Sequence, residues 1–314
     1  MCCLFGLLDC GGRLTGRQKG RLVRALALES EARGTDAAGI AYNSGGSLRI
    51  YKRPGPAHQL NFFIPEDAHT VMGHSRMTTQ GKAKRNRNNH PFAGKVPGTR
   101  FALAHNGVLY NDRALQRERK LPRTGIETDS YVAVQLIEQQ GALTPDSLKY
   151  MAESVEGSFV FTLLDDKDNF YFVRGSNPLC LEHFPRLGLY VYASTWEILH
   201  RALEKTWLGR EASVQVPVDS GEILSITPEG GRLSQRFDLG ADGFAGWYFS
   251  RRGSHLRHPA CGRQEDPYLL ELKSIASSLG YSSEEIDAML DEGWTTDEIE
   301  EALYGWEMDG LPCM

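Results

Sequence analysis

Cys2 is the residue in this sequence best placed to do chemistry. Removal of Met1, which a small second residue permits, leaves a thiol and a free α-amine on one amino acid. A free α-amine has a pKa of about 8, so near neutral pH it can take the thiol proton directly or through a water. Nucleophile and base then come from a single residue, the N-terminal form of an activated nucleophile. The alternative is structural: Cys2 and Cys3 as buried small apolar side chains of a first strand. Two other groupings carry less. His255, His258 and Cys261 have a regular three-residue spacing that could ligate zinc, but they stand in a Gly- and Arg-rich arm, and no metal is expected. The run Lys82 to Arg87 (KAKRNR) lacks interleaved aromatics, so it reads as a solvated loop, with no nucleic-acid partner.

The elements that must position Cys2 are short strands alternating with amphipathic helices. Arg17 to Arg33 carries an apolar stripe at three- and four-residue spacing and predicts a helix. Gly39 to Tyr42 and Ser47 to Tyr51 predict a hairpin closed by Asn43-Ser44-Gly45-Gly46. Further strands are expected at Val71 to His74, Phe101 to His105, Ser158 to Leu164, Phe170 to Arg174, Leu189 to Ser194 and Glu222 to Thr227. Helices are expected at Asp129 to Gln140, Thr144 to Glu153 and Thr195 to Lys205. Many short strands flanked by helix pairs imply layered sheets covered by helices, an α+β fold.

The chain has 314 residues, 41% of them hydrophobic and 24% charged, enough for one large domain with or without a small one. Its net charge of −5 conceals two unlike parts. Between Glu265 and Gly310 stand fourteen acidic residues against the single base Lys273, leaving 34 basic and 26 acidic residues elsewhere. The acidic part contains two hydroxyl-x-x-Glu capping boxes, at Ser282 and Thr295, predicting short helices with an inner stripe of Ile286, Leu290, Ile299 and Leu303. The expected organisation is a catalytic body over 2–240, a Gly/Arg-rich linker or arm over 241–264, and an acidic helical appendage over 265–314. Six cysteines are too sparse for a disulfide framework. Without an apolar run of 18 residues or a secretory leader, a soluble cytoplasmic protein with no membrane partner is expected.

Six ordered segments resemble those of the class II glutamine amidotransferases, whose domain occurs in glucosamine-6-phosphate synthase. They are CCLFG (Cys2 to Gly6), ARGTDAAGIA (Ala32 to Ala41), GHSRMTTQG (Gly73 to Gly81), NNHPF (Asn88 to Phe92), LAHNGVLYN (Leu103 to Asn111) and IETDSYV (Ile126 to Val132). EGSFVFTLLD, VRGSNPLCL, ASTWEIL and SGEILSI continue the likeness, which covers about 230 residues. The resemblance implies a four-layer αββα sandwich of the N-terminal-nucleophile hydrolase kind. It makes Cys2 the nucleophile and Asn106 and Gly107 the oxyanion donors, the Asn through its side-chain NH2 and the Gly through its backbone N–H. It places Arg76 against the α-carboxylate of free L-glutamine and Asp129 against its α-ammonium, with Thr79 and His90 in the same pocket and Arg33 near the nucleophile. Each position has a plainer reading: an Asn-Gly hairpin turn, a strand-end Arg76, an Asp129 that caps a helix, a structural His90, a helix-terminal Arg33.

Cys3 stands where the family usually has Gly, and it leaves the choice of nucleophile formally ambiguous; Met77 and Gln80 replace an aromatic and a histidine of some members. Only about 75 residues follow Asp238, too few for the acceptor domain of the family's synthases. The leading expectation is therefore a glutaminase that releases glutamate and supplies ammonia to a separate acceptor protein. An amidohydrolase of another γ-glutamyl amide is the second, and a non-catalytic glutamine-binding regulator the third. Homo-oligomerisation is left open.

Overall fold

The computed structural model describes residues 2–239 together with 269, 272–273, 276, 281–291, 294, 296 and 299. The linker reading, the His255/His258/Cys261 grouping, most of the Thr295 capping box and Leu303 lie outside the described residues. The chain divides into two compact units, Met1–Ala245 and Gly246–Met314.

The first unit is built on two sheets in which every pairing is antiparallel. The strands of the first sheet are β1 (Cys3–Asp9), β2 (Ala37–Ser44), β3 (Ser47–Pro54), β4 (Thr70–Arg76), β9 (Cys180–Phe184), β10 (Leu189–Ala193) and β11 (Val214–Gln215). They run in the order β11-β9-β10-β1-β4-β2-β3. The second sheet contains β5 (Phe92–Val96), β6 (Thr99–Leu109), β7 (Gly157–Asp165), β8 (Phe170–Arg174), β12 (Glu222–Ile226) and β13 (Arg232–Arg236), ordered β13-β12-β8-β7-β6-β5. Five helices accompany them: α1 (Gly16–Glu29), α2 (Asp112–Glu118), α3 (Tyr131–Gln140), α4 (Pro145–Ser154) and α5 (Trp196–Glu204).

Strand alternation sorts these side chains into three apolar layers. On β1, Cys3, Phe5 and Leu7 pack with Leu22, Leu26, Leu199 and Ala202 of α1 and α5. Leu4 and Leu8 point the other way, into a middle layer shared with Ala102, Ala104, Val160 and Phe172 of the second sheet. The outer face of that sheet, through Leu103, Phe161 and Val173, packs on Val132, Leu136 and Leu148 of α3 and α4. The result is the α+β, four-layer αββα sandwich that the resemblance implied.

Local chemistry fixes the helix ends. Thr15 opens α1 with a capping box whose partner is Gln18, and Thr144 opens α4 with Pro145 in its first turn. α3 ends on Gly141 in the left-handed region (φ 72°). α1 stops at Glu29, short of the expected Arg33, and gives way to a 3-10 turn over Ser30–Ala32. In the second unit, α6 (Ser283–Asp291) begins as the first capping box requires: Ser282 N–H donates to Glu285 Oε2 at 2.7 Å, and Glu285 N–H to Ser282 Oγ at 3.3 Å. Ile286 of this helix is buried in a cluster with Leu272, Ala276 and Ile299. Among the described residues no helix is long and apolar enough to cross a membrane.

Candidate active site

Cys2 immediately precedes β1, the central strand of its sheet, so the pairing of β1 with β4 decides its neighbours. Cys3 opposes Ser75, which sets Cys2 beside Arg76 and Met77. Its Sγ donates to the Met77 carbonyl at 3.4 Å, and burial pushes the thiol pKa up from its ordinary value. Arg33 fixes the same residue from the other side, with Nε donating to the Cys2 carbonyl at 3.2 Å. The pleat separates the two cysteines: Cys2 reaches the cleft, and Cys3 is wholly buried against the α1 and α5 layer.

The cleft brings together Cys2, Arg76, Thr79, His90, Gly107 and Asp129, six of the eight residues singled out from sequence. Arg33 touches Cys2 from outside it. Asn106, fully buried, is the residue before Gly107 on β6. Gly107 has φ 141°, and a Cβ there would lie 2.0 Å from the Ser158 carbonyl oxygen. Only glycine satisfies both conditions, so its place after Asn106 is a backbone requirement and not a turn preference. The Asn106-Gly107 pair lies inside strand β6, opposite Val160 and Phe159 of β7, which excludes the hairpin-turn reading.

Asp129 does not cap α3, whose N-cap is Ser130 without a side-chain bond. Its carboxylate instead accepts Leu109 N–H at 2.7 Å and Ser130 Oγ–H at 3.2 Å, tying the end of β6 to the start of α3. Arg76, 3% exposed, donates through Nη1 to Asn89 Oδ1 at 2.6 Å and through Nη2 to the carbonyls of Gln80 and Gly81. Burial weakens the hold of its guanidinium on the proton, and nearby Cys2, Asp36 and Asp129 oppose that effect. Arg76 therefore shapes the 77–81 wall of the cleft as well as lining it.

Three buried imidazoles belong to this region, His90 and His105 lining the cleft and His74 behind them. His74 donates from Nε2–H to the His105 carbonyl at 2.9 Å, which fixes the Nε2-protonated tautomer, and so bridges the two sheets. His90 packs against His74 with ring centroids 4.2 Å apart and against Phe92 at 4.3 Å, the rings tilted in both pairs. His105 pairs with Ser130 Oγ at 2.8 Å and stacks on Phe161. Burial drives all three toward the neutral form, His74 to about 3 and His90 well below its ordinary range. Among the described residues, no group of three or more His, Cys, Asp or Glu is placed to hold a metal ion.

Sequence reasoning missed three lining residues, His105, Thr128 and Ser130. Each adjoins a residue it did single out, Asn106 or Asp129, and that adjacency was the available signal. The cleft is tight, with a cavity of about 10 Å3. A larger one of about 440 Å3 lies between the start of α1 and Phe62–Ile64, but Glu66 there is already bonded to Gly16 N–H and no nucleophile faces it.

Residues 74–201 match a family described as a glutamine amidotransferase domain. Over these residues the chain carries a glutamine amidotransferase domain. It is 32% identical over 188 residues to glutamine–fructose-6-phosphate aminotransferase (isomerizing) of Listeria innocua, covering 58% of this chain and 30% of that one. The corresponding protein of Staphylococcus epidermidis is 34% identical over 158 residues, 48% of this chain and 26% of its own length. The chain thus spans less than a third of the curated relatives it matches. Two solved structures share the fold of the amidotransferase domain at 23% identity, each covering 76% of this chain and 50% of its own. One is the glutamine phosphoribosylpyrophosphate amidotransferase of B. subtilis (TM-score 0.59), the other an allosteric regulatory enzyme of purine biosynthesis (TM-score 0.60). Amidotransferases of this N-terminal-nucleophile class are enzymes.

Proposed function

We propose that this chain hydrolyses the side-chain amide of L-glutamine, releasing glutamate and ammonia, with Cys2 as nucleophile once Met1 is removed. The observation that carries the reading is the convergence on one cleft of a partly buried thiol, the Asn106-Gly107 segment, a buried arginine and a carboxylate. The Cys2 α-amine takes the thiol proton and the thiolate attacks the amide carbon. Charge gathers on the carbonyl oxygen, where the Asn106 amide and the Gly107 N–H receive it. Collapse of the adduct breaks the C–N bond, the α-ammonium returns its proton to the departing nitrogen, and ammonia leaves. Water then attacks the thioester, the thiol is restored, and glutamate dissociates.

Arg76 receives the α-carboxylate and Asp129 the α-ammonium. Both already have protein partners, so the ligand completes an existing network. Thr79, exposed at the lip, and neutral His90 complete the pocket. The inward packing of Cys3 supports Cys2 as the only cysteine of the pair that can reach an amide. Ammonia then passes to a separate acceptor protein.

A γ-glutamyl amide other than glutamine presents the same α-groups to Arg76 and Asp129. Ammonia or amine release from glutamine and a panel of γ-glutamyl amides, wild type beside Cys2→Ala, tests the proposal. Turnover is expected with glutamine as the best substrate and none with the variant. Faster turnover of another γ-glutamyl amide moves the assignment to that substrate. Glutamine binding without turnover, with Met1 retained, makes the protein a glutamine-binding regulator.

A further inference from the structure

Two buried polar side chains outside the cleft grip the oxyanion segment from behind. Ser194, fully buried just after β10, accepts the Leu4 N–H on its Oγ at 2.8 Å, and its own N–H donates to the Leu4 carbonyl at 2.9 Å. The same Oγ accepts Asn106 Nδ2 at 3.4 Å. Ser194 therefore links the strand that carries the nucleophile, in one sheet, to the oxyanion asparagine in the other. Asn177, 7% exposed in the segment after β8, donates from Nδ2 to the Asn106 carbonyl at 3.0 Å, and Arg174 Nε holds the Asn177 carbonyl at 3.1 Å.

We propose that Ser194 and Asn177 are positioning residues that aim the two oxyanion donors of the Cys2 site, an inference that rests on the glutaminase reading. Their division of labour follows from peptide geometry. One amide proton of Asn106 is directed to Ser194 Oγ, which fixes the side-chain amide plane and leaves the second proton for the oxyanion. The Asn106 carbonyl and the Gly107 N–H belong to one planar trans peptide, so they point in opposite directions. By holding the carbonyl, Asn177 sets the direction of the Gly107 N–H. The geometry matters here because Gly107 is in a backbone region that other residues rarely adopt, and it has no side chain to steady it. Neither residue touches the reacting atoms. Their effect is on alignment, where a shift of about 1 Å costs up to about a hundredfold in rate.

The test is steady-state kinetics on Ser194→Ala and Asn177→Ala, each alone and combined with Asn106→Ala. Each single variant is expected to lower kcat by about ten- to a hundredfold with KM changed less than about twofold. In the Asn106→Ala background Ser194→Ala is expected to cost under about twofold, because the donor it aims is gone, whereas Asn177→Ala keeps its effect through Gly107. An equal factor for Ser194→Ala in both backgrounds, or unchanged kcat in both single variants, overturns the proposal. Thermal unfolding identifies a variant that fails to fold, and Asn177→Ala carries the test if Ser194→Ala does. If wild type itself neither turns over glutamine nor reacts at Cys2, the glutaminase reading has failed; if wild type is active and the variants match it, only the positioning roles have.

Discussion

Cys2 and Cys3 are neighbours in sequence with the same side chain, and the pleat of one strand gives them opposite surroundings. Cys2 opens onto a cleft of polar and ionisable groups. Cys3 is packed among Leu22, Leu26 and Leu199 under two helices, where a thiol acts as a small apolar group. The difference is local to the strand's start, since Leu4 and Leu8, on the same side as Cys2, enter the apolar middle layer. The groups that line the cleft are held by hydrogen bonds, and those on the helix side by close packing. Function and stability should therefore separate by face.

The largest effect is expected on the cleft side: Cys2→Ala should abolish ammonia release while leaving the unfolding midpoint close to wild type, read by a coupled ammonia assay and thermal unfolding. Phe5, on the helix side, should behave in the opposite way. Its ring lies where a Gly73 Cβ would be 2.2 Å away, so Phe5→Ala should cost about 3–5 kcal/mol in denaturant unfolding. Unchanged stability in Phe5→Ala would dissolve the distinction between the faces.

The buried imidazoles predict how the cleft side responds to acid. In the unfolded chain His74, His90 and His105 take up protons near pH 6.5; in the folded chain burial prevents this until far lower, about 3 for His74. The unfolded state then binds more protons, so stability is full above about pH 7 and falls as pH drops below 6.5. Each ring contributes up to about 1.4 kcal/mol per pH unit across that window. Guanidinium unfolding at pH 7.5 and pH 5 should show the loss, and it should shrink in His74→Gln. A further effect of similar size is expected from Arg76→Lys, which keeps the charge but loses the fork, raising KM for glutamine about tenfold or more. The smallest is Cys3→Ala, at about 1 kcal/mol of stability with kcat unchanged.

Much of this arrangement was legible in the sequence where a pattern was local. Strands rich in Val, Phe and Ile, such as β7 and β8, announced themselves, as did helices with hydroxyl caps such as Thr144 and Thr195. β9 and β13 did not, because CLEHF and RLSQR carry polar residues that interrupt the apolar pattern, β13 at the sheet edge and β9 one strand in from it; β5 is short and contains Gly94, and α2 spans only two turns. The cleft residues came from ordered motifs. What supports them did not, since Ser194 and Asn177 reach Asn106 across 88 and 71 positions of sequence, and no periodicity encodes such a contact. The plainer reading of Asp129 as a helix cap fails for a related reason. A carboxylate at a helix start can be claimed by a strand end, here Leu109, that only the tertiary fold brings near.

The central claim is that one cysteine of the adjacent pair, freed as the N-terminal residue, is the nucleophile. Intact-mass and peptide-mass measurement after reaction with an electrophilic diazoketone analogue of glutamine tests it most directly. Loss of Met1 is expected together with one adduct, on Cys2, blocked by excess glutamine and absent from Cys2→Ala. An adduct on Cys3, or full ammonia release from a protein whose Cys2 is unmodified and preceded by Met1, would contradict it.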